Sequence, residues 1–160
     1  MSDLTLWRLS PAYHANKAMS GDGSYRRGGR WNPPGIRVIY CGDSRSLALV
    51  EVLANMRRPT FLRDQQWVVL RIDVAEELIE RPKRVPESWR ETPYTSAPQA
   101  FGAEWVQSQR SVALRVPSVV IPGEFNYLLN PAHPKFSRVK IGKPEPFAFD
   151  PRLQRPASRR

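Results

Sequence analysis

Residues 28–53 constrain this chain more than any other stretch: Gly-Gly-Arg-Trp-Asn-Pro-Pro-Gly-Ile-Arg-Val-Ile-Tyr-Cys-Gly-Asp-Ser-Arg-Ser-Leu-Ala-Leu-Val-Glu-Val-Leu. A Gly/Pro-rich polar turn carrying Arg30 and Asn32 runs into a β-branched strand, Ile36–Cys41, that ends near Tyr40. A helix follows, with Asp43 or Ser44 available to cap it, Arg57 and Arg58 favourable at its end and Pro59 to stop it. Within that helix Glu51 is a single acid in an apolar run, sharing a face with Leu47, Ala48, Ala54 and Asn55. A carboxylate there either lines a cleft or points to water, where Arg58 could pair with it. An arginine, an aromatic ring and a lone carboxylate brought together suit a charged, ring-bearing small molecule.

The rest of the chain reads as short strands with few helices. Leu4–Ser10 alternates as a strand with Leu4, Leu6 and Arg8 on one face. Residues 11–35 read as a long loop, which in a compact domain tends to be functional. Gln66–Val74 is the clearest strand. Residues 80–97, broken by prolines, form a surface excursion, and Pro98–Gln109 a helix with Phe101, Trp105 and Val106 on one side. Val112–Val116 and Val119–Ile121 read as strands split by Pro117-Ser118, and Phe136–Ile141 as a last strand. Asn126 and Asn130 lie one turn apart if helical, and their amides could equally brace a loop. This order predicts one compact α+β domain with a mixed sheet rather than a doubly wound one.

Length and composition narrow the function. At 160 residues the chain fits a single domain. No apolar run approaches the ~20 residues of a spanning helix. One cysteine, Cys41, excludes an internal disulfide and fits a reducing, cytoplasmic setting. The net charge of +10 raises nucleic-acid binding as a competing function, but half of it lies in the proline-broken segment 138–160. No phosphate-binding glycine loop is present, and His14 and His133 are too far from Cys41 in sequence for a usual metal motif. A Cys–His nucleophile pair using Cys41 lacks any flanking signature.

Taken together, Trp-Arg-Leu (7–9), Gly-Gly-Arg-Trp-Asn-Pro-Pro-Gly (28–35), Val-Ile-Tyr (38–40), Leu-Ala-Leu-Val-Glu-Val-Leu (47–53), Val-Pro-Ser-Val-Val-Ile-Pro (116–122) and Asn-Tyr-Leu-Leu-Asn-Pro-Ala-His-Pro (126–134) strongly resemble the RES-domain family. The family's Arg, Glu and Ser correspond to Arg30, Glu51 and Ser118. The resemblance implies a domain over 1–150, with 151–160 as a basic tail. It also implies a core similar to ADP-ribosyltransferases and the role of toxin in a type II toxin–antitoxin pair. Such toxins consume NAD+, by phosphorolysis or hydrolysis or by ADP-ribosylating a host protein. NAD+ is then substrate rather than cofactor, no metal is required, and contact with DNA runs only through the antitoxin. An Xre-like antitoxin is the expected partner, covering the active site.

Cleavage of the nicotinamide–ribose bond passes through an oxocarbenium-like cation. Glu51 could steady that cation, with Arg30 first and Arg8 second as grips for the pyrophosphate. Tyr40 would face nicotinamide, while Ser118 and Asn126 orient the ribose or the entering nucleophile. Asp43, the acid nearest Glu51, is expected to be a helix cap.

Overall fold

The computed structural model describes residues 2–56, 62 and 65–153. Its strands are β1 (Asp3–Pro11), β2 (Ile39–Gly42), β3 (Trp67–Ala75), β4 (Ile79–Glu80), β5 (Ala113–Pro117), β6 (Phe125–Leu129), β7 (Lys140–Ile141) and β8 (Glu145–Phe147). The helices are α1 (Asp22–Arg27), α2 (Arg45–Asn55) and α3 (Ser96–Ser108). All eight strands join one sheet in the order β4-β5-β6-β2-β1-β3-β7, with β8 also paired to β3. The β4–β5 pair is parallel and the others antiparallel, so the molecule is a single α+β domain with a mixed sheet.

Side-chain alternation gives the sheet two different faces. On one, Leu6, Ile39, Cys41, Ile72, Val74, Tyr127 and Leu129 form a buried cluster. On the other, α2 lays Ala48 against Leu9, Trp67 and Val69, while α3 lays Trp105 against Leu114, Val116 and Leu128. Burial of one such large apolar side chain is worth about 1.5–3 kcal/mol. The Trp105 ring N–H is satisfied inside the core by Ser111 Oγ at 2.8 Å. The register places Tyr40 opposite Leu128, and Gly42 opposite Asn126, which in turn faces Val116. Tyr40, Gly42 and Asn126 therefore share the helix-covered face.

Several sequence expectations are corrected. Residues 11–35 are not a structureless loop: they hold a 3-10 turn at Ala12–Lys17 and helix α1. Strand β2 begins at Ile39 rather than Ile36, because Ser24 Oγ takes both the N–H (3.1 Å) and the carbonyl (2.6 Å) of Val38 out of the ladder. Ser44, not Asp43, caps α2, its side chain accepting from the Leu47 N–H at 3.0 Å. Val119–Ile121 is a bend and not a strand, since the N–H groups of Val120 and Ile121 turn back onto Ser118 Oγ. Asn126 lies on β6 and not on a helix, and Asn130 is a buried brace accepting from the Ala132 N–H.

Phe136–Arg138 is a 3-10 turn, leaving only Lys140–Ile141 as strand. The proline-rich stretch after it still forms β8, with Pro146 opposite Val68 on an outer strand where a missing N–H costs little. The expected roles of Arg57, Arg58 and Pro59 lie outside the described residues.

Candidate active site

Helix α2 and strands β5 and β6 converge on Glu51. Leu47 and Ala48 anchor the helix in the core, and the 3.6-residue repeat carries Glu51 to the edge of that face. Its Oε1 accepts from Ser118 Oγ at 2.7 Å and from Asn126 Nδ2 at 2.7 Å. Ser118 is buried just past β5, and its hydroxyl also accepts from Val120 and Ile121. Three of the residues expected from sequence thus meet at one oxygen, and among the described residues no hydrogen bond occupies Glu51 Oε2. Two short donors thus hold one oxygen of the carboxylate.

The 28–35 turn is built around Asn32, which is completely buried. Its amide nitrogen donates to the carbonyls of Ser24 (3.0 Å) and Ile36 (2.8 Å), and its Oδ1 accepts from the Tyr40 hydroxyl at 2.5 Å. That hydroxyl also accepts from the Trp31 N–H at 3.2 Å. Gly29 is required here, since a Cβ would fall 2.6 Å from the Tyr40 hydroxyl oxygen. Burial raises the Tyr40 phenol well above its ordinary value. The phenol therefore stays protonated and keeps donating to Asn32.

Helix α3 clamps the same turn from outside. Gln99 Nε2 donates to the carbonyls of Gly29 (3.0 Å) and Asn32 (3.2 Å). At Gly102 the helix comes so close that a Cβ would lie 1.7 Å from the Trp31 carbonyl oxygen. Trp31 packs edge-on to Phe101 and stacks on Trp89, with centroids 6.0 and 6.3 Å apart.

Arg30 leaves this turn toward the 80–97 excursion. Its Nη1 donates to the carbonyls of Trp89 (2.8 Å) and Glu91 (2.7 Å), and Nη2 reaches Thr92 Oγ1 at 3.3 Å. Its guanidinium stands 5.7 Å from the centroid of the Tyr94 ring. Burial draws Arg30 below its ordinary value, while Glu51, Tyr94 and Tyr40 pull the other way. With Nη1 spent on carbonyls, the Nε–Nη2 edge is the side available for a paired contact with an anion.

Arg8 sits elsewhere. Its Nε donates to the Ala18 carbonyl and its Nη1 to the Tyr40 carbonyl, both at 2.8 Å. Alternation along β1 and β2 puts its side chain on the sheet face opposite the Tyr40 ring. Burial lowers its affinity for the proton, partly offset by neighbouring Cys41. Burial pushes the Cys41 thiol up to about 12, which makes it a poor nucleophile. His133 bonds the Gln109 carbonyl, and among the described residues no three His, Cys, Asp or Glu gather as metal ligands. None of the described helices is long and apolar enough to cross a membrane.

Gln99, Gly102, Trp89, Glu91, Thr92 and Tyr94 were not legible as site residues. The hint available was a proline-bounded excursion running straight into a helix. Two recesses elsewhere, one beside Asp3 and Arg138 and one beside Trp67 and Phe149, do not include Glu51.

The fold and site define an α+β domain that poises one carboxylate, a hydroxyl, an amide and a clamped arginine on the covered face of a mixed sheet. Residues 5–150 match the family model described as RES domain, and the chain belongs to the RES-domain toxin family. It is 33% identical over 158 residues to a Sphingobium protein (strain YBL2) named "Prs ADP-ribosylating toxin", covering 96% of this chain and 98% of that one. It is 34% identical over 152 residues to "Toxin Res" of Yersinia enterocolitica, covering 94% of this chain and all of the relative. A chain of the M. tuberculosis MbcT-MbcA toxin-antitoxin complex shares the fold with a TM-score of 0.69 at 22% identity, over 91% of this chain and 85% of that chain.

Proposed function

We propose that this chain is the toxin of a toxin–antitoxin pair and that it breaks the nicotinamide–ribose bond of NAD+, depleting the cell's NAD+ and arresting growth. The observation that carries this reading is the double hydrogen bond to Glu51 Oε1 from Ser118 and Asn126, with no hydrogen bond to Oε2 among the described residues. A carboxylate fixed in this way can lie against positive charge as it develops on the ribose. Arg30 offers its Nε–Nη2 edge to the pyrophosphate, and Tyr40 supplies an aromatic wall for nicotinamide. Arg8, tied to two backbone carbonyls, supports the β1–β2 framework from behind and is the weaker phosphate candidate.

The bond from the anomeric carbon to the pyridinium nitrogen breaks with its electron pair passing to nicotinamide. Nicotinamide leaves as a neutral molecule, so no strong general acid is needed. An oxygen of phosphate or water then bonds to the same carbon, and water releases one proton. Ser118 and Asn126 hold Glu51 in place for both halves of the exchange. The scheme draws on no metal and no separate cofactor.

A second reading, transfer of ADP-ribose to a protein side chain, is favoured by the name of the Sphingobium relative. The chemistry at the ribose is the same and only the acceptor differs. The partner in this account is an antitoxin of the Xre-like kind that covers the cleft, consistent with the toxin–antitoxin assembly in which the structural neighbour was solved. DNA is then reached through the antitoxin, and the toxin acts in the cytoplasm.

Incubation of the purified protein with NAD+, with and without phosphate, followed by mass identification of the ADP-ribose product, separates these acceptors. A phosphorylated ADP-ribose formed only with phosphate supports phosphorolysis. Free ADP-ribose supports hydrolysis. Unchanged NAD+ in both conditions and in cell extract overturns the enzymatic reading and returns the basic chain to nucleic-acid binding.

A further inference from the structure

Tyr94 is one of the large apolar side chains left exposed, at 43%, and it stands beside Arg30 of the candidate site. Isolated exposed tyrosines are ordinary. This one is distinguished by what surrounds it. Its ring has the Arg30 guanidinium 5.7 Å from its centroid. The segment that carries it is tied down on three sides. Trp89 stacks on Trp31, the carbonyls of Trp89 and Glu91 hold Arg30, and the hydroxyls of Ser88 and Thr95 meet at 3.0 Å. A planar ring presented on an anchored loop is a stacking platform that needs little further ordering on binding.

Resting on the NAD+ reading, we propose that Tyr94 is a binding residue that stacks on the adenine ring of the dinucleotide. Of the two rings of NAD+, nicotinamide carries a positive charge and adenine is neutral. A second cation beside a ring already paired with Arg30 is unfavourable, whereas a neutral purine fits. With Arg30 gripping the pyrophosphate, the purine-bearing end has an aromatic surface beside that grip. The nicotinamide end remains with Tyr40 and Glu51.

Calorimetric titration with ADP-ribose and with nicotinamide mononucleotide, which lacks adenine, tests this on wild type, Tyr94→Ala and Tyr94→Phe. Loss of one base–aromatic stack corresponds to an affinity loss on the order of five- to a hundred-fold. The expected result is that loss for ADP-ribose in Tyr94→Ala, its recovery in Tyr94→Phe, and equal binding of nicotinamide mononucleotide by all three. Unchanged ADP-ribose affinity in Tyr94→Ala, or an equal loss for both ligands, overturns the assignment. Because binding is read directly, the assignment stands or falls even if turnover is absent. A wild type that binds neither ligand removes the NAD+ reading together with it.

Discussion

Glu51 Oε1 and Ser118 Oγ lie 2.7 Å apart although 67 residues separate them in the chain. One comes from a helix that the core holds by Leu47 and Ala48, the other from the bend that ends β5. Ser118 serves two purposes with one oxygen, donating to the carboxylate while accepting from the Val120 and Ile121 N–H groups. Ser118→Ala therefore leaves two backbone donors without their acceptor and frees Glu51 on one side. A loss of about 1–3 kcal/mol in stability is expected. NAD+ turnover should fall more than tenfold under conditions where the variant is folded. Denaturant unfolding alongside NAD+ consumption checks both, and a variant equal to wild type in each refutes the pairing.

The approach of α3 to the Arg30 turn gives a second prediction. Gly102→Ala puts a methyl where the Trp31 carbonyl oxygen stands, 1.7 Å away, so the helix must retreat. Overpacking of this kind costs about 1–3 kcal/mol and sometimes more. Gly23→Ala is the control, because a Cβ there meets nothing within 4 Å and lies within α1. It should leave stability unchanged or raise it by up to about 1 kcal/mol. Thermal melts that rank the two variants in the opposite order contradict the close approach.

Much of this was legible in sequence, and the reasons for the rest are physical. Strand β3, the Ser44 region as helix start and Glu51 as an odd acid in an apolar helix all follow from local pattern. Ser24 holding Val38, and Ser118 turning back Val120 and Ile121, do not, because a hydroxyl replaces a strand partner without changing the apolar pattern. The carbonyls that hold Arg30 come from about sixty residues away, and any residue could supply a carbonyl. Gln99 and Gly102 matter only because α3 docks on the turn, a tertiary event with no local signature.

Asn32 tests the turn itself. Its amide faces the carbonyls of Ser24, Pro33 and Ile36, so Asn32→Asp replaces a donor by an acceptor in a fully buried site. A destabilisation of about 2–4 kcal/mol is expected at neutral pH. It should ease as pH falls and the introduced acid takes up a proton. Urea midpoints at pH 7 and pH 5 measure this, and a pH-independent difference counts against it.

Acid stability has a traceable contribution across β1 and β3. The Thr5 hydroxyl, at 2.6 Å, and Arg71 hold Asp73 below its ordinary 3.8. A carboxyl lowered on folding adds stability above the unfolded value and loses it as pH falls through the folded one. Asp73→Asn should therefore be less stable than wild type at pH 6, with the gap narrowing once the pH falls below the ordinary 3.8. Paired denaturant curves at the two pH values decide it, and a gap that widens in acid contradicts the assignment.

The central claim is that Glu51 supplies the negative charge for ribosyl transfer. Glu51→Gln keeps the size of the side chain and an oxygen able to accept from Ser118 and Asn126, but removes the charge. The most direct measurement is the rate of nicotinamide release from NAD+ by wild type and Glu51→Gln, with folding matched by circular dichroism. Loss of a well-placed electrostatic stabiliser costs on the order of 100-fold or more. A drop of that size in a folded variant is the predicted result, and a rate within a few-fold of wild type contradicts the account.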